Sequence, residues 1–372
     1  MINPISIIFN FFGIKKGKIV LSNFEGRGYG CNPKYITEEL LRRNIKCQIV
    51  WLTNADEREF PLGVRTVKWG GLKALYEWST ANIIITNVRM GGYFCRGFKK
   101  KQGQVYIQTW HGSMGIKKME DDCGNLSKRY LFKSRLDSKQ IDYLISNSGW
   151  LTHCYRSSFF YDGKILEIGS PRNDLFFKRT LNDNIKSIKN KLGLNPGAKI
   201  LLYAPTFRDN AKCLSLSLDF SGVKNVLQKR FGGEWIICVR AHPNDHLEVD
   251  CNPDIRNLTE YSDPQELLAI ADCLITDYSS SAFDYVLTGR PVFLYVPDYR
   301  EYLESRGLYY PLSETPFGVA ESNAELIECI RSFDNKDYQT KINGFLDAKK
   351  SYDDGHAAQK IVDLIIKRMG IS

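Results

Sequence analysis

The 372-residue chain is 43% hydrophobic and 25% charged, the composition of an ordinary globular protein, and is long enough for two domains rather than one core. Its formal charge of +9 is unevenly placed: residues 1–180 hold 29 Lys and Arg against 15 Asp and Glu, leaving 22 against 27 for the remainder. No run approaches the ~20 apolar residues of a spanning helix, and ten cysteines without a CxxC pair point to reduced core thiols rather than disulfides or a zinc site.

The first residues, MINPISIIFNFFGIKKGK, put a short apolar segment before Lys15, Lys16 and Lys18, the wrong polarity for a cleaved signal. Three readings stay open: an apolar wedge with a basic anchor on a membrane surface, a disordered leader, or a packed first element. From there strand and helix signals alternate, the pattern of an α/β protein with parallel sheets. Lys18 to Phe24 reads as a strand, followed by Gly26, Gly28 and Gly30 and by a helix over 33–43 with Asn32 as its N-cap. The glycine spacing is not GxGxxG, and the next strand, 47–53, runs into Asn54 without the acid that a ribose needs. A nicotinamide site is therefore rejected and a close-approach glycine loop kept.

Helix 72–81 and strands 82–87, 104–109 and 141–147 follow, then helix 150–159 and strand 164–168. The polar, Lys- and Asn-rich stretch 177–199 is the expected domain boundary. The second half restarts with strands 200–203 and 234–239 and reaches a compact βαβ unit: strand 273–276, a serine loop, helix 281–288 and strand 292–296. Ser279, Ser280 and Ser281 open that helix, a place that favours an anion, although a plain N-cap reads the same way. Helices 323–332 and 356–369 close the chain. Two doubly wound domains with a cleft between them is the economical architecture, with ligands at the carboxyl ends of strands.

Chemistry-bearing residues gather at those strand ends. His111 follows VYIQTW and His242 follows the strand ending at Val239, one histidine per domain; a hydrogen-bonded loop histidine is the plain alternative for each. His153 and His356 fall on amphipathic helices, and His246 is uninformative. Thr206, Arg208 and Arg240 place a hydroxyl and two guanidiniums after strands, suited to phosphate oxygens, although each alone could be an ordinary surface residue. No DxD pair stands at a strand end as a metal site.

Taken together, Trp110-His111-Gly112 with Lys117-Lys118, Gly169-Ser170-Pro171-Arg172-Asn173-Asp174, Tyr203-Ala204-Pro205-Thr206-Phe207-Arg208, Arg240-Ala241-His242-Pro243 and Thr276-Asp277-Tyr278-Ser279-Ser280 with Phe283-Asp284 resemble the CDP-glycerol glycerophosphotransferase family, in order over roughly residues 15 to 370. The resemblance implies a GT-B fold of two Rossmann-like domains: 1–180 binding the acceptor, and 195–372 binding the CDP-activated donor, with the last helix free to pack back on the first. It implies His111 as general base and His242 as a second catalytic residue on the donor phosphates. Donor binding would fall to Thr206, Arg208, Arg240, Thr276, Asp277, Ser279, Ser280 and Asp284, and acceptor binding to Gly112, Lys117, Lys118, Arg172 and Asn173.

No metal or cofactor is implied. The expected partners are CDP-glycerol or a related CDP-alditol, a lipid-linked or polymeric glycan acceptor and an anionic membrane surface, with no nucleic acid, and the expected location is peripheral on the cytoplasmic face of the membrane. One departure stands out, because Ser113-Met114-Gly115-Ile116 adds a residue to the family's usual WHGTPLK. The long N-terminal extension of the large polymerases is also lacking, so a primase or capsule-type transferase is expected ahead of a teichoic-acid polymerase of the long kind, although length alone does not exclude polymerisation. Two alternatives remain: a GT-B glycosyltransferase using a nucleotide sugar, disfavoured because no glutamate lies between Asp277 and Asp298, and a non-catalytic membrane-surface scaffold.

Overall fold

The computed structural model describes residues 7–206, 218–241, 255–305 and 307–371. It divides into two compact units, each built on a parallel sheet: Met1–Gly112, Met119–Phe177 and Ser351–Ser372 form the first, and Ser113–Lys118 with Lys178–Lys350 the second. This is the GT-B-like plan of two Rossmann-like domains, with two exchanges of chain between them.

In the first unit the strands are β1 (Lys18–Ser22), β2 (Gln48–Thr53), β3 (Val64–Lys68), β4 (Ile83–Thr86), β5 (Val105–Gln108), β6 (Tyr143–Ser146) and β7 (Lys164–Glu167). They lie in the order β3-β2-β1-β4-β5-β6-β7, and every pairing is parallel. Parallel sheets are covered on both faces, which is why β1 and β4 read as unbroken apolar runs. Alternate residues serve opposite cores: Val20, Ile84 and Tyr106 face Trp78 and Tyr155, whereas Ile19, Leu21, Ile85 and Ile107 pack with Ile36, Leu40 and the last helix, Ala357–Met369.

The second unit holds β8 (Lys199–Ala204), β9 (Trp235–Val239), β10 (Ile255–Asn257), β11 (Cys273–Thr276), β12 (Val292–Tyr295) and β13 (Gly318–Ala320), ordered β10-β9-β8-β11-β12-β13 and again all parallel. The winding reverses between β1 and β4 in one sheet and between β8 and β11 in the other. Ligands of open α/β sheets bind at such points.

Several expectations need correction. The helix after the glycine loop runs Cys31–Arg42 with Gly30 at its N-cap, so Asn32 is a buried residue inside it and not the cap. Residues 113–118, expected within the first domain, belong to the second unit because they join its hydrogen bonding: Tyr309 N–H donates to Ile116 O at 2.8 Å, Tyr310 O–H donates to Met114 O at 2.7 Å, and Lys117 bridges Leu308. The second domain ends at Lys350 rather than 372: residues 351–372 lie with the first unit, and the last helix packs back on it as the sequence reading allowed, with Ile361, Val362 and Ile365 in its core. Strands β3, β10 and β13 and the helices Lys128–Ser138, Leu181–Lys191 and Asn335–Lys349 are not among the expected elements, although Leu181, Ile185 and Ile188, and Tyr338, Ile342 and Phe345, stand at helical spacing.

Candidate active site

In the first unit the site is built around His111, three residues beyond β5. Gln108 Oε1 accepts the Trp110 N–H at 2.9 Å, and Asn32 Nδ2 donates to the carbonyls of Thr109 (3.3 Å) and Trp110 (3.0 Å). These bonds hold Trp110 in the left-handed region at φ 50°, a conformation a bulky residue adopts only under such constraint. The half-buried imidazole stacks on the Trp110 ring at 4.2 Å, with Phe24 at 5.0 Å. Its Nδ1 lies 2.7 Å from the carbonyl of Asn87. A carbonyl can only accept, so Nδ1 carries the proton and Nε2 keeps its lone pair. Burial lowers the imidazole pKa to about 4, against the raising effect of the Asn87 bond and helped by the positive charge of Arg172. At neutral pH the ring is a neutral proton acceptor.

Arg172 is 3% exposed and donates from Nη2 to the carbonyl of Gly112 at 3.1 Å, while its N–H donates to Asn32 Oδ1 at 3.1 Å. It therefore supports the turn that carries His111. Asn173, expected at the acceptor, fastens the closing segment in this structure. Wholly buried, it donates to Asp353 Oδ2 at 3.1 Å, beside Asn147 at 3.0 Å, and Ser170 N–H reaches Asp353 Oδ1 at 2.7 Å. Asp174 accepts the N–H groups of Ala357 and Ala358 at 3.0 and 2.8 Å and caps the last helix. The Ser170–Asp174 motif thus serves the turn and the closing segment within one unit.

In the second unit, Thr206 follows β8 and Asp277 follows β11. Thr206 donates both its N–H (2.9 Å) and its hydroxyl (3.0 Å) to Asp277 Oδ2, and Thr276 Oγ1–H donates to Ala204 O at 2.6 Å. Part of the serine loop is used locally: Ser279 Oγ accepts from Ser281 N–H (3.2 Å) and Oγ–H (2.8 Å), while Ser280 provides no side-chain cap. Buried Tyr278 stacks on Tyr302 at 3.6 Å, and Lys117 Nζ lies 5.8 Å from the Tyr302 ring. Lys117 and Lys118 therefore belong to the second unit and not to the first domain in which they were expected. Arg240 is half-buried, with burial lowering its guanidinium pKa against Asp263 and Glu260; its Nε makes no hydrogen bond among the described residues. Asp284 is buried in the short helix Ser281–Tyr285. Arg208 and His242 lie outside the described residues.

Sequence reasoning missed Asn23, Asn87 and the clamping role of Asn32. The signal was available for the first two, since each directly follows a strand, β1 and β4, as the named site residues follow theirs.

Comparison with known proteins places these halves in a family. Residues 5–367 match the family model described as CDP-Glycerol:Poly(glycerophosphate) glycerophosphotransferase. A teichoic acid poly(glycerol phosphate) polymerase of Bacillus spizizenii is 30% identical over 97% of this chain and 95% of its own length. The corresponding polymerase of Staphylococcus epidermidis is 33% identical, and there the chain spans 51% of its relative. A solved structure of the wall teichoic acid polymerase TagF superposes with a TM-score of 0.85 at 30% identity, covering 98% of this chain and 93% of that one, and a variant of that enzyme has been solved after a CDPG soak. The chain belongs to the CDP-glycerol:poly(glycerophosphate) glycerophosphotransferase family.

Proposed function

We propose that this enzyme transfers glycerol phosphate, or a related alditol phosphate, from its CDP-activated donor to a hydroxyl of a lipid-linked or polymeric cell-envelope glycan in teichoic acid or capsule synthesis. The observation that carries the reading is His111, its Nδ1–H committed to Asn87 and its Nε2 left to accept a proton. The acceptor hydroxyl attacks the β-phosphorus of CDP-glycerol and gives its proton to Nε2. The new O–P bond forms as the bond to the bridging oxygen breaks, and CMP leaves with that oxygen.

A positioned base contributes about 10²–10⁴-fold. The larger share falls to positioning and to stabilisation of the phosphoryl charge, with Thr206, Arg208, Arg240 and the Thr276–Ser280 loop as donor ligands and His242 on the donor phosphates. The test is CMP release from CDP-glycerol and from CDP-ribitol with acceptor membranes. His111→Ala is expected to abolish release while the melting temperature stays within a few degrees. Release of CMP from neither donor by the wild type overturns the reading and leaves the nucleotide-sugar and scaffold alternatives.

The membrane side of the proposal rests on the first described residues. Asn10 ties them to the first unit, its Nδ2 donating to Gly97 O at 2.9 Å and its Oδ1 accepting Lys99 N–H at 3.0 Å. Phe11 is 85% and Ile8 58% exposed, and Lys101 Nζ bonds the carbonyl of Phe12. An apolar wedge beside lysines suits an anionic headgroup surface on the cytoplasmic face. No described helix is long and apolar enough to cross a membrane. Phe11→Asp is expected to weaken sedimentation with phosphatidylglycerol vesicles, and unchanged sedimentation removes this surface from the proposal.

A further inference from the structure

The reversal in winding of the first sheet falls between β1 and β4, and the residues that follow these strands meet there. Asn87 Nδ2 donates to Asn23 Oδ1 at 2.8 Å, and both residues are buried, at 0% and 2% exposure. Asn87 Oδ1 accepts the N–H of Phe24 at 2.9 Å. Asn23 Nδ2 in turn donates to the carbonyls of Arg27 (2.8 Å) and Gly28 (3.4 Å), inside the glycine loop. Phe24 stands at φ 40°, a left-handed conformation that a bulky side chain rarely adopts, and its ring lies 5.0 Å from the imidazole of His111.

The carbonyl that receives the His111 Nδ1–H belongs to this same Asn87. One residue therefore holds Asn23 and the Phe24 N–H, ahead of the glycine loop, with its side chain and sets the histidine tautomer with its main chain. If the side chain is removed, Phe24 loses the bond that holds its strained backbone, and the carbonyl loses the two fixed bonds that aim it. The imidazole is then free to adopt the Nε2–H tautomer, which has no lone pair where the acceptor hydroxyl must deliver its proton.

We propose that Asn87, gripped by Asn23 across the β1/β4 switch point, is a positioning residue that holds His111 in the Nδ1–H tautomer with Nε2 open as proton acceptor. The inference rests on the reading of His111 as general base. It goes beyond that reading by assigning the tautomer control to an asparagine pair at the end of two strands.

The test joins a spectroscopic readout to kinetics. In ¹⁵N-histidine-labelled protein, the His111 signals are assigned by their loss in His111→Gln. The wild type is expected to show a protonated Nδ1 and an unprotonated Nε2. In Asn87→Ala the two forms should mix, and kcat should fall about 10- to 100-fold, with KM for CDP-glycerol changed by less than about twofold. Asn23→Ala keeps the Asn87 bond to Phe24, so a smaller loss in the same direction is expected; it carries the test, with Asn87→Ser, if Asn87→Ala does not fold. A wild-type tautomer in Asn87→Ala overturns the proposal, whether or not kcat falls, because Asn87 would then be structural alone. Turnover retained in His111→Gln sinks the base reading instead, and the tautomer measurement, which needs no turnover, still decides the role of Asn87.

Discussion

At the residue scale, the environment of His111 sets its pH behaviour. An imidazole held near 4 stays neutral across the whole physiological range, so the acidic limb of kcat/KM is expected near pH 4 rather than near 6.5. The linkage has the same cause. Between about pH 4 and 6.5 the unfolded chain binds a proton at this position and the folded chain does not. Stability is therefore complete above 6.5 and falls as the pH drops through that window. His111→Gln removes the proton from both states, and its melting temperature should decline less between pH 7 and pH 5 than that of the wild type. An identical decline means that His111 titrates as an ordinary surface histidine. Arg172 adds to the same shift by charge and also holds the Gly112 carbonyl. Arg172→Met should move the His111 titration upward in an NMR experiment, and a downward or absent shift contradicts the electrostatic part of this account.

At the element scale, the strand-end rule carried most of what the sequence disclosed. The run at Cys273–Thr276 is apolar, β-forming and bounded by Asp272 and Asp277, so strand, loop and helix were legible together. Thr206 and Asp277 were each visible as strand-end residues, but the bonds joining them were not, because they link positions 71 apart in the chain. Asn32 was misread for a similar reason: its short amide before Pro33 is an N-cap pattern locally, and only the buried carbonyls of Thr109 and Trp110 turn it into a clamp.

The segment 113–118 was the least legible, since its partners at 308–310 lie some 190 residues away. That segment has a kinetic consequence inside the second unit. A Cβ on Gly115 would come within 3.3 Å of Ser280 Cβ and 3.5 Å of its Cα, so a branched side chain must push the serine loop. Gly115→Val should raise KM for CDP-glycerol by about tenfold, with Gly115→Ala nearer wild type; initial-rate kinetics showing no change in KM would detach Gly115 from donor binding.

At the scale of the whole molecule, the order of the chain and the membership of the two units differ, and this makes the C-terminus part of the first unit. The closing segment is joined to the first unit by polar bonds from Asn147, Ser170 and Asn173 to Asp353 and from Asp174 to the helix start, and by Arg43 to Asp363 at 2.6 Å. Its larger contribution is apolar: Ile361, Val362, Ile365 and Met369 are all within 3% of full burial, in one core with Ile19, Leu21, Ile83 and Ile85. At about 1.5–3 kcal/mol for each fully buried side chain, these four contribute about 6–12 kcal/mol, the size of the whole stability of a typical domain, about 5–15 kcal/mol. Ending the chain at Lys350 should therefore unfold the first unit and spare the second, although the deleted residues follow the second in sequence. Hydrogen exchange resolves the two: amides of β1, β4 and β5 should lose protection while those of β8, β11 and β12 keep it. Protection retained in β1 and β4, or lost equally in both sheets, contradicts this assignment of the last helix to the first core.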